Sequence, residues 1–274
     1  MTASRKVLLV DDADGVRTLT FNRPDALNAF NQALWYATAD ALDQAAADDA
    51  IRCVLLTGAG RAFCAGADMG GLDAISEVTV DSANQTDVSA MVAARHPYFL
   101  TQLTKPVIAA INGAVAGMGL SQALMADIRF AAAGAKFTTS FARRGLVAEY
   151  GISWILPRLV GWAIATELLL SGRTFLAEEA AELGLVKEVV PGDQLMDRVL
   201  AYADDMALNC APSSMAMMKK QLYADAGMGI VETSHKAETL MHDSMQRTDF
   251  IEGITAFFEK RPPNFPPMPG ALQD

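Results

Sequence analysis

The stretch Lys105-Pro106-Val107-Ile108-Ala109-Ala110-Ile111-Asn112-Gly113-Ala114-Val115-Ala116-Gly117-Met118-Gly119 decides the fold class. Val107 to Ile111 is a short, unbroken apolar run directly after Lys105-Pro106, the pattern of a strand buried on both faces. Asn112 to Gly119 reads as a Gly-rich turn, the Ala/Leu/Met-rich segment to Ala126 as a helix, and Ile128 to Ala132 as the next strand. The chain before it has the same grammar. Val16 to Phe21 is β-prone and Asn22-Arg23-Pro24 breaks it; Phe30 to Ala47 carries Leu34, Ala37, Ala41 and Leu42 at helical spacing, and Ile51 to Thr57 is a second apolar run. Buried strands alternating with helices predict an α/β domain with covered sheets. From about residue 200 the texture changes: Gln194 to Leu208, Ser213 to Ala226, Gly229 to Gln246 and Asp249 to Lys260 all read as helices. Pro262 to Asp274 reads as an extended or disordered tail.

The 274 residues, 51% hydrophobic and 20% charged, suffice for one large domain or a domain with an appendage. A net charge of −10, from 22 basic and 32 acidic residues, argues against nucleic-acid and anionic-membrane partners. Cys53, Cys64 and Cys210 are odd in number and widely spaced, unlike a zinc site or a disulfide framework. With only a four-residue apolar run, Val7 to Val10, near the N-terminus, the chain reads as cytoplasmic, without a membrane span.

Two Gly-rich turns, Gly58 to Asp68 and Asn112 to Gly119, each follow a buried strand and lead towards a helix. Free N–H groups at helix N-termini favour an anion. Neither turn has the spacing of a nucleotide-binding loop. One such turn is ordinarily just tight packing. Two that each offer an N–H to a shared point are what an oxyanion hole needs.

The segments Asn22-Arg23-Pro24-Asp25-Ala26-Leu27-Asn28-Ala29, Arg61-Ala62-Phe63-Cys64-Ala65-Gly66-Ala67-Asp68, Lys105 to Gly113, Ala126-Asp127-Ile128 and Glu252-Gly253…Ala256-Phe257-Phe258-Glu259-Lys260-Arg261 occur in order between about residues 7 and 265. Together they resemble the enoyl-CoA hydratase/isomerase (crotonase) family. The resemblance implies a crotonase-like spiral of repeated ββα units over residues 1–200. It also implies a helical oligomerisation region over 201–274 that builds a homotrimer or a dimer of trimers. The implied substrate is an acyl-CoA or enoyl-CoA thioester, with coenzyme A as part of the substrate and no permanently bound cofactor or metal.

Carried over to this sequence, the oxyanion hole is the backbone N–H of Ala67 and of Met118, next to Ala65 and Gly117. Family members often have Gly where Met118 stands, but the contact uses backbone. Ala26, Leu27 and Ala29 match the loop that curls round the adenine, and Arg23, Lys260 and Phe257 match positions near the phosphates and adenine, the last two reaching from a neighbouring subunit. Lys260 also fits a plain helix-end lysine, and Asp68 reads more simply as the cap of a following helix than as a catalytic group. The two glutamates of the family's hydration mechanism are replaced by Ser121 and Phe141. Neither can supply a base at neutral pH. Glu149 matches the single glutamate of the family's isomerases; flanked by Val147, Ala148, Tyr150 and Ile152, it is expected to be a partly desolvated proton shuttle. A surface position, or a salt bridge to Arg143 or Arg144, is the plainer reading of that residue. One carboxylate with an oxyanion hole suits isomerisation, hydration or hydrolysis, and a non-catalytic acyl-CoA binder is the rival class. Residues 72–99, Met118, Ser121, Phe141 and Trp154 are expected to shape the acyl pocket; His96 in that segment reads as structural.

Overall fold

The computed structural model describes residues 6–68 and 96–267. Its strands form two sheets. The larger contains β1 (Leu8–Ala13), β2 (Val16–Phe21), β3 (Cys53–Gly58), β5 (Val107–Ile111), β7 (Ile128–Ala132) and β10 (Glu188–Val190), in the spatial order β1-β2-β3-β5-β7-β10. Only the β1–β2 hairpin is antiparallel; every later pairing in this sheet is parallel. The smaller sheet consists of three-residue strands in the order β4 (Ala62–Cys64), β6 (Ala114–Ala116), β8 (Lys136–Thr138), β9 (Thr174–Leu176). Thus β3 and β4, β5 and β6, and β7 and β8 each give one strand to the large sheet and the next to the small one. That alternation is the ββα spiral.

The apolar runs are buried on both faces, as their continuity requires. Cys53, Leu55, Ile108, Ala110 and Phe130 pack against Leu195, Val199, Ala203 and Ala207 of α7 (Leu195–Asn209). Val54, Leu56, Val107, Ala109 and Ile111 face the main core, with α1 (Gln32–Ala47) and α3 (Gly117–Met125). Asn31 caps α1, its side chain accepting from the Leu34 N–H at 3.0 Å. Between β4 and β5 the described chain holds α2 (Phe99–Gln102); α4 (Ile152–Val160), α5 (Trp162–Ser171) and α6 (Ala177–Glu182) follow β8.

The expected junction at residue 200 falls inside α7, and Val199 and Ala203 on either side of it cover the same sheet. Beyond it come α8 (Pro212–Ala224), α9 (Ile230–Met245) and α10 (Thr248–Glu259). Helix α9 buries none of its side chains, and Ile230, Val231, Phe250, Ile251, Phe257 and Phe258 on α9 and α10 are exposed. Two anchors hold α10 to the body: Ser213 Oγ donates to Asp249 at 2.6 Å, and the Phe265 ring packs on Gly253. The described tail is extended but seated, since Phe265 is buried and its carbonyl accepts from Arg52 at 2.6 Å. Among the described residues no helix is long and apolar enough to cross a membrane, and no cluster of His, Cys, Asp and Glu could hold a metal.

Candidate active site

The two Gly-rich turns meet. A Cβ placed on Gly66, whose φ is +110°, would lie 3.3 Å from the Ala116 carbonyl oxygen and 3.8 Å from the Met118 nitrogen. One placed on Gly119 would overlap the Cys64 carbonyl oxygen at 2.4 Å and its Sγ at 2.7 Å. Glycine at 66 and 119 is therefore what lets the end of β4 lie on the first turn of α3. Side chains stitch the same region together. Asn28 Nδ2 donates to the carbonyls of Ala59 (2.9 Å) and Ala62 (2.7 Å), and Asn112 accepts from the Gly58 N–H at 3.1 Å.

Two N–H groups are left over at this junction. The Phe30 N–H donates to Gly66 O at 2.8 Å and the Asp68 N–H to Phe30 O at 2.9 Å. Along an extended segment successive N–H groups point to opposite sides, so the Ala67 N–H faces away from Phe30. Met118 stands in the first turn of α3, where the helix has no partner for its N–H groups and Ala116 supplies no side-chain cap. Among the described residues no acceptor takes either N–H.

Ser121 is fully buried and its hydroxyl donates to Gly117 O at 3.2 Å. Phe141 is buried too, with its ring 3.8 Å from the Cβ position of Gly117. The two positions that the resemblance matches to glutamates thus meet at α3, one a back-bonded hydroxyl on the helix and the other a ring packed on its first turn. Gly117, Ser121 and Met125 share one helix face at four-residue spacing. The loop from Phe141 to Gly151 spans it: Phe141 reaches Gly117, and the Cβ position of Gly151 lies 3.1 Å from Met125 Cε.

Glu149 sits in this loop just before α4, half-buried, and its carbonyl accepts from the Ile152 N–H at 3.1 Å. Tyr150 and Gly151 both have left-handed backbone, with φ of +57° and +77°. The pair of left-handed residues makes the sharp bend that separates the Glu149 loop from α4. Among the described residues no ion pair joins Glu149 to Arg143 or Arg144; Arg143 donates instead to Ser171 O at 2.8 Å. The partner of Glu149 is a residue read from sequence only as an apolar flank. Burial raises the Tyr150 hydroxyl to about 12, with the Glu149 charge and a hydrogen bond to Glu149 acting in the same direction. An aromatic hydroxyl directly beside the acid was the available signal.

Arg23 does not stand free towards solvent. Its guanidinium donates to Asp68 at 2.6 Å and to the Ala29 carbonyl at 2.5 Å, so it braces the 24–29 loop against the Ala67 turn. Asp68 therefore has an observed ion pair, while the helix it was expected to cap lies in residues 69–95, outside the described residues, as does most of the segment expected to shape the acyl pocket. The 24–29 loop is internally bonded: the N–H groups of Ala26, Leu27 and Ala29 donate to Arg23, Pro24 and Ala26 carbonyls, and Ala65 N–H donates to Leu27 O at 3.0 Å. His96 stacks on Tyr98 at 4.8 Å. Trp154 is partly exposed under the Arg158 guanidinium, 3.9 Å from its ring centre. Phe257 is 76% exposed and Lys260 is also exposed at the end of α10.

The sequence model of the family described as enoyl-CoA hydratase/isomerase matches residues 11–267. The 1,2-epoxyphenylacetyl-CoA isomerase of Escherichia coli is 39% identical over 92% of this chain and 95% of its own. Among solved structures, an enoyl-CoA hydratase from Mycobacterium marinum is 55% identical, covering 81% of this chain and 99% of its own with a TM-score of 0.68. One from Bacillus anthracis, 31% identical, covers 96% of this chain and 100% of its own with a TM-score of 0.86. Sequence and fold agree: the chain belongs to the enoyl-CoA hydratase/isomerase (crotonase) family, whose members act on acyl-CoA thioesters.

Proposed function

We propose that this protein isomerises an unsaturated acyl-CoA thioester, with Glu149 as its single acid/base and the N–H groups of Ala67 and Met118 as its oxyanion hole. The observation that carries this reading is the contact between the two turns, with both N–H groups unclaimed. Removing a proton beside a thioester, directly or through the conjugated chain, sends the electron pair to the thioester oxygen. Two fixed donors stabilise that oxygen without reorganising, a contribution of about 10²–10³ in rate per donor. Glu149 takes the proton from one carbon and returns it to another, so the double bond moves and no water is consumed. Hydration through two glutamates is disfavoured here because their places hold Ser121, whose hydroxyl is turned onto Gly117, and the buried Phe141. The Escherichia coli relative is itself named an isomerase of a CoA thioester.

The nucleotide half of the substrate is assigned to the loop of Ala26, Leu27 and Ala29 with Arg23 behind it, completed by Phe257 and Lys260 of a neighbouring subunit. That completion requires a neighbouring subunit, for which a homotrimer or dimer of trimers is the assembly proposed, and the exposed apolar residues of α9 and α10 offer a surface for it. Overall acidity is no obstacle, because recognition rests on local donors and a few cations.

A panel of 2-enoyl- and 3-enoyl-CoA thioesters followed by product mass tests the reaction. Unchanged mass with a moved double bond is the expected result. A gain of water, release of free CoA, or tight binding with no turnover would each replace this reading with hydration, hydrolysis or a binding scaffold.

A further inference from the structure

The two N–H groups assigned to the oxyanion hole belong to the peptide units Gly66–Ala67 and Gly117–Met118. Both peptides are trans, and a trans peptide is planar with its C=O and N–H on opposite edges, so whatever holds the carbonyl oxygen also aims the N–H. Each unit follows a glycine of positive φ, +110° at Gly66 and +49° at Gly117, and glycine is the residue that least restrains the peptide after it. Local sterics leave these two planes loose unless something takes hold of their oxygens. In each case a side chain does. Cys64 Sγ donates to Gly66 O at 3.7 Å, beside the 2.8 Å bond from the Phe30 N–H, and Ser121 Oγ donates to Gly117 O at 3.2 Å. Both side chains are fully buried. Burial pushes the Cys64 thiol up to about 12, so at neutral pH it keeps the proton it donates. The same sulfur lies 2.7 Å from the Cβ position of Gly119, so Cys64 touches both turns.

We propose that Cys64 and Ser121 are positioning residues for the reaction, each tethering the carbonyl of one oxyanion-hole peptide so that its N–H stays aimed at the thioester oxygen. This rests on the function proposed above and adds the residues that hold its two donors in place. It gives Ser121, at one of the positions matched to hydration glutamates, a part in the site other than supplying an acid. A serine that bonds back to the carbonyl four residues earlier is common in helices; here that carbonyl belongs to the peptide whose N–H is Met118. A hydrogen bond accepted at the C=O also polarises the peptide and strengthens the N–H on its far edge, so each tether acts on the strength of its donor as well as on its direction. The thiol is the weaker of the two donors, and the Phe30 N–H shares its task. Loss of the serine hydroxyl should therefore cost more than loss of the sulfur.

The test compares the full chain with its Ser121→Ala, Cys64→Ala and Cys64→Ser variants, using 3-hexenoyl-CoA for turnover and hexanoyl-CoA labelled with carbon-13 at the thioester carbonyl for calorimetry and infrared difference spectra. The saturated thioester has no double bond to move. Bound to the wild type, its carbonyl is expected to absorb at lower frequency than in water, because the hole draws electron density onto the oxygen. Ser121→Ala should lower kcat about tenfold, a part of the ~10²–10³ that one fixed donor supplies, and Cys64→Ala about fivefold. KM and the hexanoyl-CoA Kd should stay within about twofold, since the lost interaction strengthens in the transition state, and the carbonyl band should move part of the way back towards its frequency in water. Cys64→Ser keeps a donor and should recover most of the rate and of the band shift. A carbonyl band unchanged from wild type in both alanine variants overturns the proposal; Cys64→Ser as impaired as Cys64→Ala overturns it for Cys64 by making the sulfur a packing group. Melting profiles identify the folded variants, and Ser121→Ala, which removes one oxygen, carries the test if Cys64→Ala does not fold. A wild type that fails to bind hexanoyl-CoA, leaves its band unshifted or releases CoA from it refutes the function proposed above, a result separate from variants that match a wild type showing the shift.

Discussion

Glu149 is the residue on which the proposed chemistry turns, and its setting is a bend built from two left-handed residues beside a half-buried tyrosine. Replacing it with glutamine keeps the shape and the hydrogen-bonding capacity towards Tyr150 but removes the basic form. Glu149→Gln should lower turnover by about 10²–10⁴, the range for a general acid/base, and leave acyl-CoA affinity within about twofold. Steady-state rates with calorimetry check both halves, and turnover equal to wild type would take Glu149 out of the mechanism. At this scale the resemblance pointed to this acid and to Ser121 and Phe141 at the places of the two hydration glutamates. It did not expose the Arg23–Asp68 ion pair, whose members are 45 residues apart, or the role of Tyr150, whose hydroxyl can be assigned a partner only once the loop's conformation is known.

The element that does most for the site is α3. Its first turn packs on β4, and that packing has no room for a side chain at Gly119. Gly119→Ala should therefore push α3 away from Cys64, costing about 1–3 kcal/mol as an overpacked substitution and lowering turnover more than tenfold by moving the Met118 N–H. The comparison is Gly229→Ala, where nothing lies within 4 Å of the new Cβ. Thermal melts and rates of the two variants should differ sharply; a Gly119→Ala protein as stable and active as wild type would contradict the close packing. The long elements were legible: β2, β3, β5, β7, α1, α3 and the helices from α7 onward lie close to where composition and periodicity put them. The small sheet was not. Strands of three residues such as β6 and β9 carry too little alternation to declare themselves, and β6 lies inside what reads as a Gly-rich turn.

For the molecule as a whole, burial of acidic groups that stay neutral sets an alkaline limit. Cys53 and Cys64 are raised from 9.0, and Tyr150 and Tyr223 from 10.0, each to about 12 and each chiefly by desolvation. All four are held neutral in the fold and ionise more easily when unfolded, so their contribution is complete below pH 9 and is lost as pH rises from about 9 to 12. The melting temperature is expected to stay level approaching pH 9 and to fall steadily above it. Tyr223→Phe should flatten the part of that fall above pH 10, and a profile independent of pH across the whole interval would show these groups to be open to water. The whole molecule also carries what a single chain leaves exposed: apolar residues of α9 and α10, Phe257 among them, with Lys260 beside it.

The sequence by itself determined the α/β class, the buried parallel strands, the helical C-terminal third and the family, because these depend on composition and periodicity within short windows and on motifs that can be read in order. Only the tertiary structure decided that the two Gly-rich turns meet. The turns belong to different ββα units, and what brings them together is the fit of glycine backbone at 66 and 119 between β4 and α3. Steric fit between distant segments leaves no periodic trace in a chain, and that is why the site's parts could be named in advance while their meeting point could not.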